Sequence, residues 1–332
     1  MSPKPSIRAV RPVASIEGGR ITIEGSGFST DGPHLPVVRI GDESARIVYA
    51  SPTAIGVIVP AISDGGRMPI RIDGVPGETA FVDVGAPFAT GLHQVDNPIF
   101  DFDGNLYVTY SGTRGQEVPV SIFRVRPSGT RETFASGIVN PTSMAIDPDG
   151  QLYVSSRFEG AVYRVAPDGS SSLFASDLGV ACGLAFSRDG TLFVGDRSGT
   201  IFRVDREGRA ESFATLPASV AAFHLAMAPD GVLHVTAPTL SSFDAIYRIA
   251  RDGTVSVGYT GFGRPQGLAF DARGTLWVVD ALAGSSGVYR FAGNGTPELV
   301  VAGPGLVGVA FDPRGGVVAC SNETAYRLAK SA

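Results

Sequence analysis

Asn140-Pro141-Thr142-Ser143-Met144-Ala145-Ile146-Asp147-Pro148-Asp149-Gly150-Gln151-Leu152-Tyr153-Val154 is the stretch from which the fold can be read. Two short apolar runs flank an Asp-Gly turn, the pattern of an antiparallel hairpin. The pattern recurs. Asp103-Gly104, Asp149-Gly150, Asp189-Gly190 and Asp230-Gly231 are followed by Arg273-Gly274 and Arg314-Gly315, with glycine-to-glycine steps of 46, 40, 41, 43 and 41 residues. Runs such as Leu184-Ala185-Phe186 precede each turn, and runs such as Leu192-Phe193-Val194 follow it. A third strand carries an aromatic-Arg step: Phe123-Arg124, Tyr163-Arg164, Phe202-Arg203, Tyr247-Arg248, Tyr289-Arg290 and Tyr326-Arg327. A fourth reads Thr133-Phe134-Ala135-Ser136 and, less regularly, onward.

Four strands per unit of ~40 residues, repeated six times, predict an all-β chain with a six-bladed β-propeller. The sixth unit ends at Tyr326-Arg327-Leu328 without a fourth strand, while Pro87-Phe88-Ala89-Thr90-Gly91 upstream matches Thr133-Phe134-Ala135-Ser136-Gly137. Residues 82–90 are therefore expected to close the last blade, within a propeller spanning 82–332. The first 81 residues lack the repeat. Runs such as Arg20-Ile21-Thr22-Ile23 and Ala54-Ile55-Gly56-Val57-Ile58-Val59-Pro60, with turn clusters every ~8–12 residues, predict a small β-sandwich. Its direct run into the closing strand predicts a stiff junction.

Composition narrows the function. The 332 residues include 43 glycines and 23 prolines, only 18% are charged, and the net charge is −5. No basic face for nucleic acid is visible. No run approaches the ~20 apolar residues of a membrane span, and no secretory pattern opens the chain. With two unframed cysteines, Cys182 and Cys320, a cytoplasmic location is expected.

Gly18-Gly19-Arg20-Ile21-Thr22-Ile23-Glu24-Gly25-Ser26-Gly27-Phe28, followed by a strand ending in glycine and one ending in proline, resembles the IPT/TIG immunoglobulin-like domain over about residues 5–85. The repeats resemble NHL repeats and the gluconolactonase (senescence marker protein, SGL) family over about residues 86–332. That resemblance implies a divalent metal at the axial mouth, held by carboxylates and Asn amides and used for lactone or ester hydrolysis. Alignment on the turns puts its ligand positions on Asp96, Thr142, Cys182, Phe223, Gln266 and Val307. Asp96 alone is anionic, so no metal site is expected, and Asp96 is the only foothold for Ca²⁺ or Mg²⁺. No other cofactor is implied.

Two readings remain open. In one, the mouth binds a small polar molecule or peptide and acts as a lactonase-like hydrolase with an altered ligand set. Asp96 and His224 then supply general base and acid/base chemistry from opposite sides of the pore, too far apart to bond directly. Asn97, Tyr110, Thr142, Arg157, Cys182, Asp196, Arg197, Gln266 and Asp280 line the site, with Arg157 and Arg197 gripping an anion. In the other, the chain is a non-catalytic interaction scaffold that uses the propeller rim and the Ig-like domain. The aromatic-Arg steps, present in every unit, are expected to be structural, with the aromatic between blades and the Arg reaching a turn carboxylate or solvent.

Overall fold

The computed structural model describes residues 5–30, 35–76, 80–282 and 284–329. Among them there are strands and turns and no helix, so none could cross a membrane as an apolar helix. Each Asp-Gly signal does closing a turn what the sequence asks of it. Asp147 Oδ1 accepts the N–H groups of Asp149 and Gln151, both at 2.9 Å, and Gly150 takes a positive φ of 86°. A side chain at that glycine would be strained.

Five four-stranded sheets stand separately. Their innermost strands are Ile99–Phe100, Pro141–Ile146, Ala181–Phe186, His224–Met227 and Leu306–Phe311. This differs from the six separate blades expected. The strands of the fifth repeat, Pro265–Phe270, Leu276–Asp280, Gly287–Phe291 and Pro297–Ala302, end a twelve-stranded sheet that continues into the N-terminal unit. The cause is Ala14–Ser15, which pairs in parallel with Val301–Ala302 on one side and Asp83–Val84 on the other. Ser15 Oγ also donates to the Ala302 carbonyl at 3.0 Å.

The N-terminal strands follow one another without a break between two sheets, because Glu43–Ser51 pairs with both Ala54–Ile58 and Val38–Ile40. Alternation buries Ile21 and Ile23 against a core with Ile40, Ile55, Val57, Ile70 and Val82. Ile16 leaves that unit and packs among Val279, Val288, Leu306 and Val309. Ala80–Val84 pairs with Gly66–Ile72, so residues 82–84 serve the N-terminal unit. After Gly85, Ala86–Thr90 pairs with Thr324–Arg327, bringing Thr90 opposite Thr324 and Pro87 opposite Tyr326. The start of the propeller segment thus supplies the outer strand of its last repeat, and a single glycine separates the two pairings.

The aromatic-Arg steps differ in detail from expectation. The guanidinium lies over an aromatic ring of a neighbouring strand: Arg124 over Phe134 at 4.8 Å, Arg164 over Phe174 at 5.5 Å and Arg203 over Phe213 at 5.6 Å. Arg327 sits 3.6 Å over Phe88, so the closing strand reproduces the contact that the fourth strands make elsewhere.

Candidate functional site

Antiparallel pairing places the starts of the inner strands beside the ends of the second strands. Pro141 faces Ser156, Ala181 faces Asp196, and Pro265 faces Asp280. One face of the ring, the mouth, therefore gathers the residues just before the inner strands and just after the second strands. The Asp-Gly turns occupy the other face.

The first inner strand is only Ile99–Phe100. Pro98 has no N–H for a ladder, and the residues before it are free to leave the sheet. They cross the axis. Asp96 Oδ1 lies 2.6 Å from His224 Nδ1, and both side chains are buried. This overturns the expectation that the two face each other across an open pore. Asp96 belongs to the first repeat and His224 to the fourth, and the crossing segment brings them into direct contact. Asp96 Oδ1 also accepts the Asn97 N–H at 2.7 Å.

Asn97 extends the crossing. Its Nδ2 donates to the Leu268 carbonyl at 2.8 Å, and its Oδ1 accepts the Val309 N–H at 2.9 Å. One side chain from the first repeat thereby ties the fifth to the sixth. Space for it comes from two glycines. A Cβ on Gly267 would lie 2.2 Å from Asn97 Oδ1, and one on Gly308 would lie 2.7 Å from Asn97 Cα and 2.8 Å from the Asp96 carbonyl oxygen. The Gln94–Asn97 segment forms a floor across the channel, with Gln94 Nε2 donating to the Asp96 carbonyl at 2.8 Å.

Arg157 and Arg197 directly follow second strands that end at this mouth. Arg157 is half-buried, and its guanidinium is held below its ordinary value first by burial and then by the charges of Arg197 and Arg114. It remains a cation at neutral pH. The Arg114, Arg157 and Arg197 side chains make no ion pair or hydrogen bond among the described residues. His93 stands close enough for burial and Arg157 to lower its pKa, with Glu323 acting in the opposite direction. The Tyr110 ring meets His93 edge-on at 6.0 Å. Asn140, missed as an organiser, holds this side together. It has a φ of 47°, donates to the Ser111 and Thr113 carbonyls, and accepts the Gly115 N–H at 2.7 Å, fixing the loop that carries Arg114.

Other expected site residues are committed elsewhere. Asp196 accepts the Val180 N–H at 2.8 Å, and Asp280 accepts those of Gly263 and Arg264 at 3.2 and 2.7 Å. Each carboxylate anchors the chain entering its own inner strand. Burial raises the Asp280 pKa. Thr142 is fully buried and donates to the Asn140 carbonyl at 3.0 Å. Gln266 is half-buried, and its backbone carbonyl accepts the Thr236 hydroxyl at 2.7 Å. Phe223 is fully buried in the core that also contains Cys182 and Leu225. Cys182 is buried, and its thiol is pushed up to about 11, chiefly by desolvation. It is a poor nucleophile at neutral pH.

The donor set does not suit the divalent metal implied by the gluconolactonase resemblance. Asp96 Oδ1 is occupied by His224 and an amide, Phe223 offers no donor, and no group of three or more His, Cys, Asp or Glu side chains converges among the described residues. Hard cations require several oxygens together. His224 is instead left with a buried Nε2 that has no hydrogen-bond partner.

A cleft of about 1170 Å³ lies on the opposite face, between Ala9–Ala14 and the turns near Asp271 and Asp312. Those carboxylates cap backbone amides of their own turns, and the mouth residues do not line it.

Residues 5–82 match the IPT/TIG domain. No curated protein matches the sequence significantly. Among solved structures, an auxiliary nutrient binding protein from Bacteroides ovatus shares 14% identity at a TM-score of 0.57, with 98% of each chain covered. A gluconolactonase from Xanthomonas campestris shares 16% at a TM-score of 0.61, covering 91% of this chain and 99% of that one. A catalytically inactive virginiamycin B lyase from Staphylococcus aureus, bound to quinupristin, shares 13% at a TM-score of 0.53, covering 94% and 100%. These likenesses establish the propeller arrangement, and at such identities they carry the fold alone.

Proposed function

We propose that the chain is a ligand-binding protein, with an Ig-like sandwich up to Val84 and a six-repeat propeller from Ala86 onward whose mouth takes a small anionic molecule. The observation that carries this is the arginine group. Exposed Arg114 and Arg197 each lie close enough to half-buried Arg157 to act on its charge, and none of the three has a carboxylate partner among the described residues. Like charges brought together at the rim of a cup raise the local potential, and an anion relieves their repulsion. Tyr110 and His93 border the same space. The Asp96–Asn97 segment, bonded to His224, Leu268 and Val309, would close the axis beneath such a ligand. The full-length likeness to an auxiliary nutrient binding protein agrees with a binding role.

Titration calorimetry with gluconate, citrate and inorganic phosphate tests the reading. At least one anion should bind, and Arg157→Ala should weaken it at least tenfold without changing the unfolding midpoint. Binding that is unaffected by Arg157→Ala and Arg197→Ala would remove the mouth from consideration.

A second reading, a lactone or ester hydrolase, draws on one further observation. Asp96 orients His224 through Nδ1 and leaves Nε2 unpaired, the arrangement of a carboxylate-oriented general base. Its test is hydrolysis of a lactone panel, with His224→Gln expected to abolish turnover. The gluconolactonase likeness agrees with that chemistry and does not select it.

A further inference from the structure

The mouth carries both cationic and exposed apolar side chains. Arg114, Arg157 and Arg197 stand on the loops of the first three repeats, with Phe158 at 52% exposure beside Arg157, and exposed Arg264 precedes the fifth inner strand. The third-to-fourth connection and the loops of the fourth and fifth repeats expose a run of apolar side chains: Val220 at 42%, Leu240 at 90%, Phe243 at 64% and Leu282 at 39% exposure. Single exposed apolar residues need no explanation, but several on adjoining loops do.

Hydrogen bonds show that these loops adjoin. The Ser219 N–H donates to the Arg197 carbonyl at 3.0 Å, and the Val220 N–H donates to the Pro238 carbonyl at 2.9 Å. The Ser219 hydroxyl reaches the same Pro238 carbonyl at 2.7 Å. Thus one short segment, Ser219–Val220, is bonded both to Arg197 and to the loop that bears Leu240 and Phe243. That loop is held in shape, with Asp244 Oδ1 accepting the Thr239 N–H and hydroxyl at 3.0 and 2.6 Å. Leu282 lies on the fifth-repeat loop, where its side chain covers Gly263 so closely that a Cβ there would be 2.4 Å away.

We propose that the mouth takes an amphiphilic carboxylate, with its anionic head on the Arg114–Arg157–Arg197 side and an apolar arm of several carbons against Val220, Leu240, Phe243 and Leu282. This rests on the reading of the mouth as an anion site and names the class of ligand. A purely polar anion would leave the apolar arc wet, and an uncharged oil would leave the arginines uncompensated. One ligand with both parts satisfies both sides of the rim.

The test uses the full chain and titration calorimetry with butanoate, hexanoate and octanoate, with octanamide as the uncharged control. A methylene taken fully out of water is worth about fourfold in affinity. Octanoate should bind at least tenfold tighter than butanoate and at least tenfold tighter than octanamide. The exposed pair Leu240→Ser with Phe243→Ser should flatten the chain-length dependence while butanoate affinity stays within twofold. Arg157→Ala should weaken all three carboxylates. Equal affinity for butanoate and octanoate, both lost in Arg157→Ala, would overturn the apolar arm and leave the anion site standing. Failure of every carboxylate to bind would remove both. Octanoate binding unchanged by either variant, or binding to phosphatidylglycerol vesicles without binding of free octanoate, would also overturn the proposal.

Discussion

Replacing Asn97 by Ala tests the crossing segment directly. The amide side chain makes one bond to the fifth repeat through Leu268 and one to the sixth through Val309. Removing it strands a backbone carbonyl and a backbone N–H at the centre of the ring. Each unsatisfied buried group costs about 1–3 kcal/mol. Asn97 is half-buried, so water recovers part of this, and the expected loss is about 2–4 kcal/mol. Asn97→Asp should be no better, since it keeps the acceptor for Val309 but sets a carboxylate against the Leu268 carbonyl. Urea unfolding followed by circular dichroism would show a lowered midpoint at unchanged slope. A loss below 0.5 kcal/mol, within the usual range for a surface substitution, would refute the floor as a structural staple and return Asn97 to the ligand-facing role expected from sequence.

Four further outcomes follow from the same geometry. Gly308→Ala should destabilise the chain, because its Cβ would strike the Asn97 backbone; a variant with wild-type unfolding would contradict the close approach. Cys182, with a thiol raised to about 11 by burial, should resist iodoacetamide at pH 8 in the folded chain and react in urea, as mass spectrometry would show. Phe88→Ala removes the ring beneath Arg327 on the closing strand and should cost about 1–2 kcal/mol, measured by thermal unfolding. Burial raises the Asp280 carboxyl, so the folded chain takes up that proton at higher pH than the unfolded one. Its contribution is fully present below the unfolded value and is lost as pH rises through the folded value. The cost of Asp280→Asn should therefore grow as pH falls through that interval, and a flat difference across pH would speak against a raised pKa.

The repeats were legible because each carries its own local instructions: an Asp-Gly turn, flanking β-branched and aromatic runs, and an aromatic-Arg step. The pairing of Ala86–Thr90 with Thr324–Arg327 was legible for the same reason, since Phe88-Ala89 repeats the fourth-strand pattern. Joining of the fifth repeat to the N-terminal unit was not, because the two-residue strand Ala14–Ser15 has no periodicity to read. The mouth was legible by address and not by contact. Turn register correctly put Asp96 ahead of the first inner strand, but it assumed that a strand begins there. Pro98 and the glycines at 267 and 308 were the available signals, since one shortens the strand and the others clear space for a crossing chain. Asp196 and Asp280 were placed at the right strand ends, yet the backbone amides they satisfy come from the preceding connection, which strand pattern alone does not locate.

The floor also separates binding from turnover. Arg114, Arg157 and Arg197 take no part in it, and an anion held by them would ask no rearrangement of the Gln94–Asn97 segment. His224 lies within it, and its Nε2 has no solvent-reachable surface. A substrate could use that nitrogen only if the Gln94–Asn97 segment withdrew. Withdrawal would break the Asp96–His224 contact that orients the base, and with it the Asn97 bonds to Leu268 and Val309. The motion that exposes the base therefore dismantles its orientation and loosens two repeats at once. Binding asks none of this of the ring, which is why the same geometry supports a ligand cup more directly than a hydrolase.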